Sequence, residues 1–185
     1  MSYEFSGGYK IRDQHGLYYM TFTVVEWIDL FSREIYKDIL IKNMRHCRKY
    51  KGLRVGAYVI MTNHMHVIWQ SFENDLSAIL RDFKSFCTKE FINAIKNGNE
   101  SRKERLLHSF QFHANRTNQN KEYRIWTGDN HPEEITSEIF LRTKLNYIHE
   151  NPVRAGIVNK PEDYVYSSAS NYIIGKGIMD VDYLF

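Results

Sequence analysis

The stretch Leu53-Arg-Val-Gly-Ala-Tyr-Val-Ile-Met-Thr-Asn-His-Met-His-Val-Ile-Trp-Gln70 decides how this chain is built. Residues 53–61 and 64–70 are rich in β-branched and aromatic side chains, and each reads as a strand. Only Thr62 and Asn63 separate them, and a two-residue connection makes the pair an antiparallel hairpin. Upstream, residues 17–25 (Leu-Tyr-Tyr-Met-Thr-Phe-Thr-Val-Val) have the same composition and give a third strand. Between the first strand and the hairpin, Ile35, Ile39, Met44 and Cys47, with Tyr36 and Leu40 beside them, recur at helical spacing. They predict a helix capped by Ser32 and ended by Gly52. Downstream, Leu76, Ile79, Leu80, Phe83, Phe86, Cys87, Phe91 and Ile95 mark a long amphipathic helix over 76–96.

Beyond Asn97 the pattern weakens. Residues 101–113 suit a helix, 113–124 a polar, asparagine-rich loop, and 123–126 a short strand. Residues 137–150 read as a helix stopped by Asn151-Pro152. The order strand, helix, strand, strand, helix, strand, helix predicts an α+β domain spanning 1–185. Its simplest form is a ferredoxin-like sandwich, a central antiparallel sheet with packed helices, and residues 161–185 form a packed tail.

Composition bounds the function. At 185 residues and 43% hydrophobic, the chain can bury one real core. No apolar run approaches the roughly 18 residues of a membrane span, and no basic start precedes a hydrophobic block, so a cytoplasmic protein is expected. Two cysteines, Cys47 and Cys87, are too few for a disulfide framework or a thiolate zinc site. The net charge of +3 conceals an asymmetry: residues 161–185 carry a balance of −3, while 1–160 hold 24 basic and 18 acidic residues. Eight basic residues between Arg33 and Arg54 face only Glu34 and Asp38. Such a body suits a polyanionic partner, although a solvated basic helix face has the same composition.

Two constellations carry chemistry. His64-Met65-His66 opens the third strand, and residues i and i+2 of a strand share a face, so the imidazoles stand side by side and could chelate one ion. No cysteine is near, which argues against closed structural zinc. Imidazoles with oxygen ligands and open positions suit an ion that also holds substrate oxygens; a pair of ordinary edge-strand histidines is the alternative. The second constellation is Leu145-Asn-Tyr-Ile-His-Glu-Asn-Pro-Val-Arg-Ala-Gly-Ile-Val158. Tyr147 and Asn151, four apart, share a helix face. Asn151 offers a carboxamide oxygen, a hard ligand, and Tyr147 a phenol oxygen that serves as a nucleophile beside a metal-polarised phosphorus. Thirteen tyrosines occur in the chain, and most must be core or surface residues.

At these segments the sequence resembles a known family. Tyr58-Val-Ile-Met-Thr-Asn-His-Met-His-Val-Ile68 is similar to the HUH signature, two histidines around a hydrophobic residue, of single-tyrosine transposases. Tyr147-Ile-His-Glu-Asn-Pro-Val-Arg-Ala-Gly156 resembles the nucleophile helix of their REP-associated branch. Weaker likeness covers 20–25, 80–86 around Lys84, 126–132 and 161–168, whereas an insertion from about Glu100 to Lys121 has no counterpart. The resemblance implies an HUH-transposase-like fold and a Mg²⁺ or Mn²⁺ ion held by His64 and His66. The third ligand would be Asn151, where many family members carry Gln. It implies cleavage and rejoining of single-stranded, hairpin-containing DNA through a covalent 5′-phosphotyrosine on Tyr147. Lys84, Arg142, Lys144 and Arg154, with Arg45 and Arg48 on the first helix, become candidates for DNA contacts. Trp69, Trp126 and the tyrosines are candidates for base stacking beside their core role. Asp129 and His131 lie in a region the family uses near its DNA site. A homodimer sharing the tyrosine helix and a monomer are both compatible with the family, as is a nucleoid-associated location. Two other functions fit these residues: a nucleic-acid-binding module with a decayed site, and a water-using phosphodiesterase in which Tyr147 is structural.

Overall fold

Alternation along the strands sorts the side chains onto two faces of a four-stranded antiparallel sheet, ordered β2-β3-β1-β4. The structure is a computed structural model that describes residues 10–73, 75–116 and 122–185. Strand β1 (Tyr18–Thr23) leads through two short 3-10 turns to α1 (Glu34–Tyr50), and β2 (Leu53–Ile60) and β3 (His64–Ser71) form the hairpin. Helices α2 (Leu76–Asn97) and α3 (Lys103–Asn115) precede β4 (Glu133–Glu134), α4 (Glu138–Arg154) and α5 (Ala169–Ile174). This is the ferredoxin-like α+β arrangement, with α3 inserted before the last strand.

Phe22, Met20 and Tyr18 of β1 lie opposite Met65, Val67 and Trp69 of β3, so these residues share one face. Phe22 and Trp69 meet Phe83 of α2 at ring-centroid distances of 5.7 and 5.0 Å. Tyr36 of α1 meets Phe91 of α2 at 6.0 Å, so α1 and α2 together cover that face. The opposite face carries Tyr19, Thr21 and Thr23 of β1 beside His64 and His66 of β3, and α4 packs against β2 and β3 there.

The buried stripe of α1 runs through Tyr36, Leu40, Met44 and Cys47, all among the expected positions, and leaves Ile35 exposed. Ser32 does not cap this helix. Its hydroxyl donates to the Asp29 carbonyl (2.7 Å), and Arg33 holds the capping position. Glu100, buried between α2 and α3, accepts from Tyr36 (2.8 Å) and Arg102 (3.0 Å) and pairs with Arg33 (3.3 Å). These donors, Arg102 first, hold its carboxyl down at about 2 and pin the start of α1.

The tail covers the outer edge of β2, which would otherwise present unpaired backbone groups. Ile60 N–H donates to Tyr166, Ser168 N–H to Tyr58 and Asp182 N–H to Val55, at 2.8–2.9 Å. Gly56 sits at a bulge, where a Cβ would collide with Leu184 at 2.7 Å.

Two expected elements differ. The strand over 123–126 contributes only a bridge from Trp126 to Val24, and the ladder strand is Glu133–Glu134. His131 adopts a left-handed conformation (φ 43) and Pro132 has no N–H for a ladder, which breaks the run between them. Helix α4 passes through Pro152 to Arg154. Its stop is Gly156, at φ 69, whose N–H bonds to the Val153 carbonyl (2.9 Å). The inserted segment is largely α3, packed on α2 through buried Leu106 and Phe110. Residues 117–121 of the predicted loop, Lys121 included, lie outside the described residues. Among the described residues, no helix is long and apolar enough to cross a membrane.

Candidate active site

His64 and His66 leave β3 on the same face, with ring centroids 4.8 Å apart. His66 is buried, and its Nδ1 lies 2.8 Å from the Tyr19 hydroxyl and 2.9 Å from that of Thr21. His64 Nδ1–H donates to Asn63 Oδ1 (2.7 Å). Asn63 Nδ2 in turn donates to the Trp27 carbonyl and to Asp29 Oδ1, both at 3.2 Å, which turns its oxygen towards His64. The Asn63 oxygen fixes the proton of His64 on Nδ1 and leaves its Nε2 lone pair for a ligand, and His66 offers Nε2 likewise in the tautomer whose Nδ1–H donates to the Tyr19 or Thr21 hydroxyl. Burial, then the charges of His64, Lys144 and Arg154, pushes His66 down to about 3, and burial also lowers His64. Two neutral, oriented imidazoles are the donor state that a divalent ion requires, so the pair fits a metal. Among the described residues, no group of three or more His, Cys, Asp or Glu is placed to hold an ion. Further donors would therefore be amide, hydroxyl, water or phosphate oxygens, which suits magnesium or manganese.

Helix α4 is fixed over this face by its buried side. Ile148 and Pro152 are buried, and His149 Nε2 meets Ser168 Oγ at 2.9 Å while its ring lies 5.2 Å from Tyr172. His149 is thereby a packing residue of the α4–tail contact. Its neighbour Tyr147 is 40% exposed, so its ring remains open to a ligand. That ring stands edge-on to His66 at 5.2 Å and to Tyr19 at 6.2 Å, all within one chain. Asn151 follows one turn along α4 and is half-buried. Arg154 lies over the Tyr147 ring at 4.5 Å and donates to the Tyr147 carbonyl (2.7 Å). Lys144 lies 4.1 Å over the Tyr19 ring and pairs with Glu133 of β4 (2.8 Å).

The other basic candidates are dispersed. Arg142 pairs with Glu138 (2.7 Å) and covers the Phe185 ring at 4.1 Å. Lys84, on α2, donates to Asn130 Oδ1 (2.9 Å) and the Thr127 carbonyl (3.3 Å), beside a groove between α2 and residues 122–132. Arg45 and Arg48 are not brought to the imidazoles. They lie on α1, across the sheet, where Arg45 donates to the Ile178 carbonyl and Arg48 to the Asp180 carbonyl (2.8 Å) and Asp182 (3.2 Å). The Arg48–Asp182 ion pair thus ties the basic first helix to the acidic tail. Asp129 and His131 pair with each other at 3.4 Å in the turn before β4.

Trp69 and Trp126 are buried in the core and offer no stacking face, whereas Trp27 is 64% exposed. Its ring meets His64 at 5.9 Å. Glu26 and Trp27 both have φ 54, a left-handed conformation costing about 1–2 kcal/mol per residue. The contact of Glu26 with His113 (2.8 Å) and the Asn63–Trp27 hydrogen bond hold this turn. Sequence reasoning passed over Trp27, which lies outside every periodic element. Tyr19 and Thr21 were within reach of it, because alternation along β1 puts them on one face.

No protein-family model and no curated protein matches the chain. Among solved structures, the chain is similar to one described as a REP-associated tyrosine transposase bound to a REP hairpin. The TM-score is 0.59 at 20% identity, and the match covers 96% of this chain and 90% of that one. At this identity, the likeness is one of fold.

Proposed function

We propose that the protein is a metal-dependent, single-tyrosine endonuclease and strand transferase acting on single-stranded, hairpin-bearing DNA. The observation that carries this reading is the approach of Tyr147 to His66 at 5.2 Å, with His64 beside it, inside one chain. A solved structure of similar fold is described as a REP-associated tyrosine transposase bound to a REP hairpin, which supports a nucleic-acid partner.

His64 and His66 would hold Mg²⁺ or Mn²⁺ through Nε2, with the Asn151 carboxamide as a third protein donor. The ion supplies positive charge against the oxygens of the scissile phosphate. Tyr147 attacks phosphorus in line, so that a bond from its phenol oxygen to phosphorus forms while the bond from phosphorus to the 3′-oxygen breaks. The phenol proton passes to solvent, and the departing 3′-oxygen takes up a proton. Arg154, over the Tyr147 ring, and Lys144, over the Tyr19 ring, are placed for phosphate contacts that would offset charge building on the phosphoryl oxygens. The 5′-phosphotyrosine ester conserves the energy of the broken linkage, so an incoming 3′-hydroxyl reverses the step and joins strands. Tyr147 and both histidines belong to one chain, and the reaction needs no second subunit to complete the site.

The test is incubation with Mn²⁺ and single-stranded oligonucleotides carrying hairpins from the DNA flanking the coding sequence, followed by a denaturing gel. The expected result is a covalent protein–DNA band that Tyr147→Phe abolishes while binding persists. Hairpin binding without an adduct indicates a decayed module. Free 5′-phosphate ends produced equally by Tyr147→Phe indicate a hydrolase that uses water.

A further inference from the structure

We infer that Trp27 is a base-stacking residue that positions the nucleotide next to the scissile phosphate. The inference rests on the proposed DNA-cleaving function and adds a positioning element to the same site. Trp27 is the exposed member of the chain's three tryptophans, at 64% against 0% for Trp69 and 5% for Trp126. A solvent-facing indole covers no core, so burial does not account for its position. It stands beside the metal-binding face, with its ring 5.9 Å from the His64 imidazole.

The turn that presents it is built at a cost. Glu26 and Trp27 are consecutive non-glycine residues at φ 54, where a Cβ is disfavoured. The turn is tied down by Asn63, whose Nδ2 donates to the Trp27 carbonyl while its Oδ1 accepts from His64. One carboxamide therefore fixes both the imidazole and the turn carrying the indole. Strain of this kind persists where the surroundings over-determine it, and it clusters at ligand-binding positions. The ligand chemistry follows from the surface: an exposed indole face beside a phosphate-binding centre suits an unpaired nucleobase, and stacking tolerates any base.

The experiment measures binding of a fluorescent single-stranded hairpin oligonucleotide by anisotropy in the Tyr147→Phe background, where no adduct forms. Trp27→Ala, Trp27→Phe and a set of strands each lacking one base near the cleavage position are compared. Trp27→Ala is expected to lose about 5- to 100-fold in affinity, and Trp27→Phe to recover most of it. One abasic position should produce the same loss with Trp27 present and none with Trp27→Ala. Indole emission from the parent should fall on binding. If Trp27→Ala binds every strand within twofold of the parent, the stacking role is overturned and the strand-transfer function stands. If neither protein binds any hairpin, both are overturned. Matching circular-dichroism melts separate either result from misfolding.

Discussion

The ring of Tyr147 stands edge-on to the imidazole of His66, 5.2 Å away, although the two residues lie 81 positions apart in the sequence. The sheet supplies one partner and α4 the other. The buried contact of His149 with Ser168 fixes their relation by tying α4 to the tail on the edge of β2. A packed helix bearing a half-exposed phenol beside two neutral imidazoles concentrates the proposed nucleophile and the proposed metal donors on one face.

Asn63 is expected to govern metal affinity without touching the metal. In Asn63→Ala, His64 loses the acceptor that fixes its tautomer, and the Trp27 carbonyl loses its donor. Mn²⁺ affinity measured by titration calorimetry should fall about 10- to 100-fold, in line with other residues that orient metal-bound histidines. Unchanged affinity would show that the His64 orientation is set elsewhere.

Lys144 and Arg45 should separate by salt dependence. Lys144 flanks the site over Tyr19, whereas Arg45 is spent on the tail. Lys144→Gln should reduce the slope of log affinity against log salt for a single-stranded oligonucleotide by about 0.7. Arg45→Gln should leave that slope alone and speed proteolysis of the tail. The reverse pattern would move the DNA path to α1.

Much of this could be read in advance. The hairpin over 53–70 and the helix over 76–96 follow from periodicities that tertiary packing reinforces. The side-by-side His64 and His66 follow from strand alternation alone. The path of α4 through Pro152 was not legible, because a proline in the last helical turn disturbs few backbone bonds while Gly156 provides the stop. The tail contacts of Arg45 and Arg48 were hidden for another reason: the acceptors lie more than a hundred residues away, in a tail whose docking has no local signal. Trp27 depends on a backbone turn that no propensity favours. The site's donors were visible as residue types, and alternation puts Tyr19 and Thr21 on one face of β1; that they and Asn63 bond to the imidazoles was visible only in three dimensions.

Acidification should destabilise the metal-free protein through its buried imidazoles. The unfolded chain protonates them near the ordinary value of 6.5, while folded His149 and His66 resist protonation until about 4 and about 3. Below pH 6.5 the unfolded state therefore binds more protons, and stability falls as pH drops towards 4, by about 1.4 kcal/mol per pH unit for each group. Urea melts across this range should show the decline, and His149→Asn should flatten it. A wild-type stability independent of pH between 6.5 and 4.5 would contradict the burial of these rings.

The central claim is that Tyr147 bonds to DNA beside an ion held by His64 and His66. Mass spectrometry of proteolytic peptides, after reaction with Mn²⁺ and a flanking-DNA hairpin strand, tests it most directly. The account predicts a 5′-phospho-oligonucleotide on the peptide containing Tyr147, absent when His64 and His66 are both replaced by Ala. An adduct on any other residue, or one that survives loss of both histidines, would contradict it.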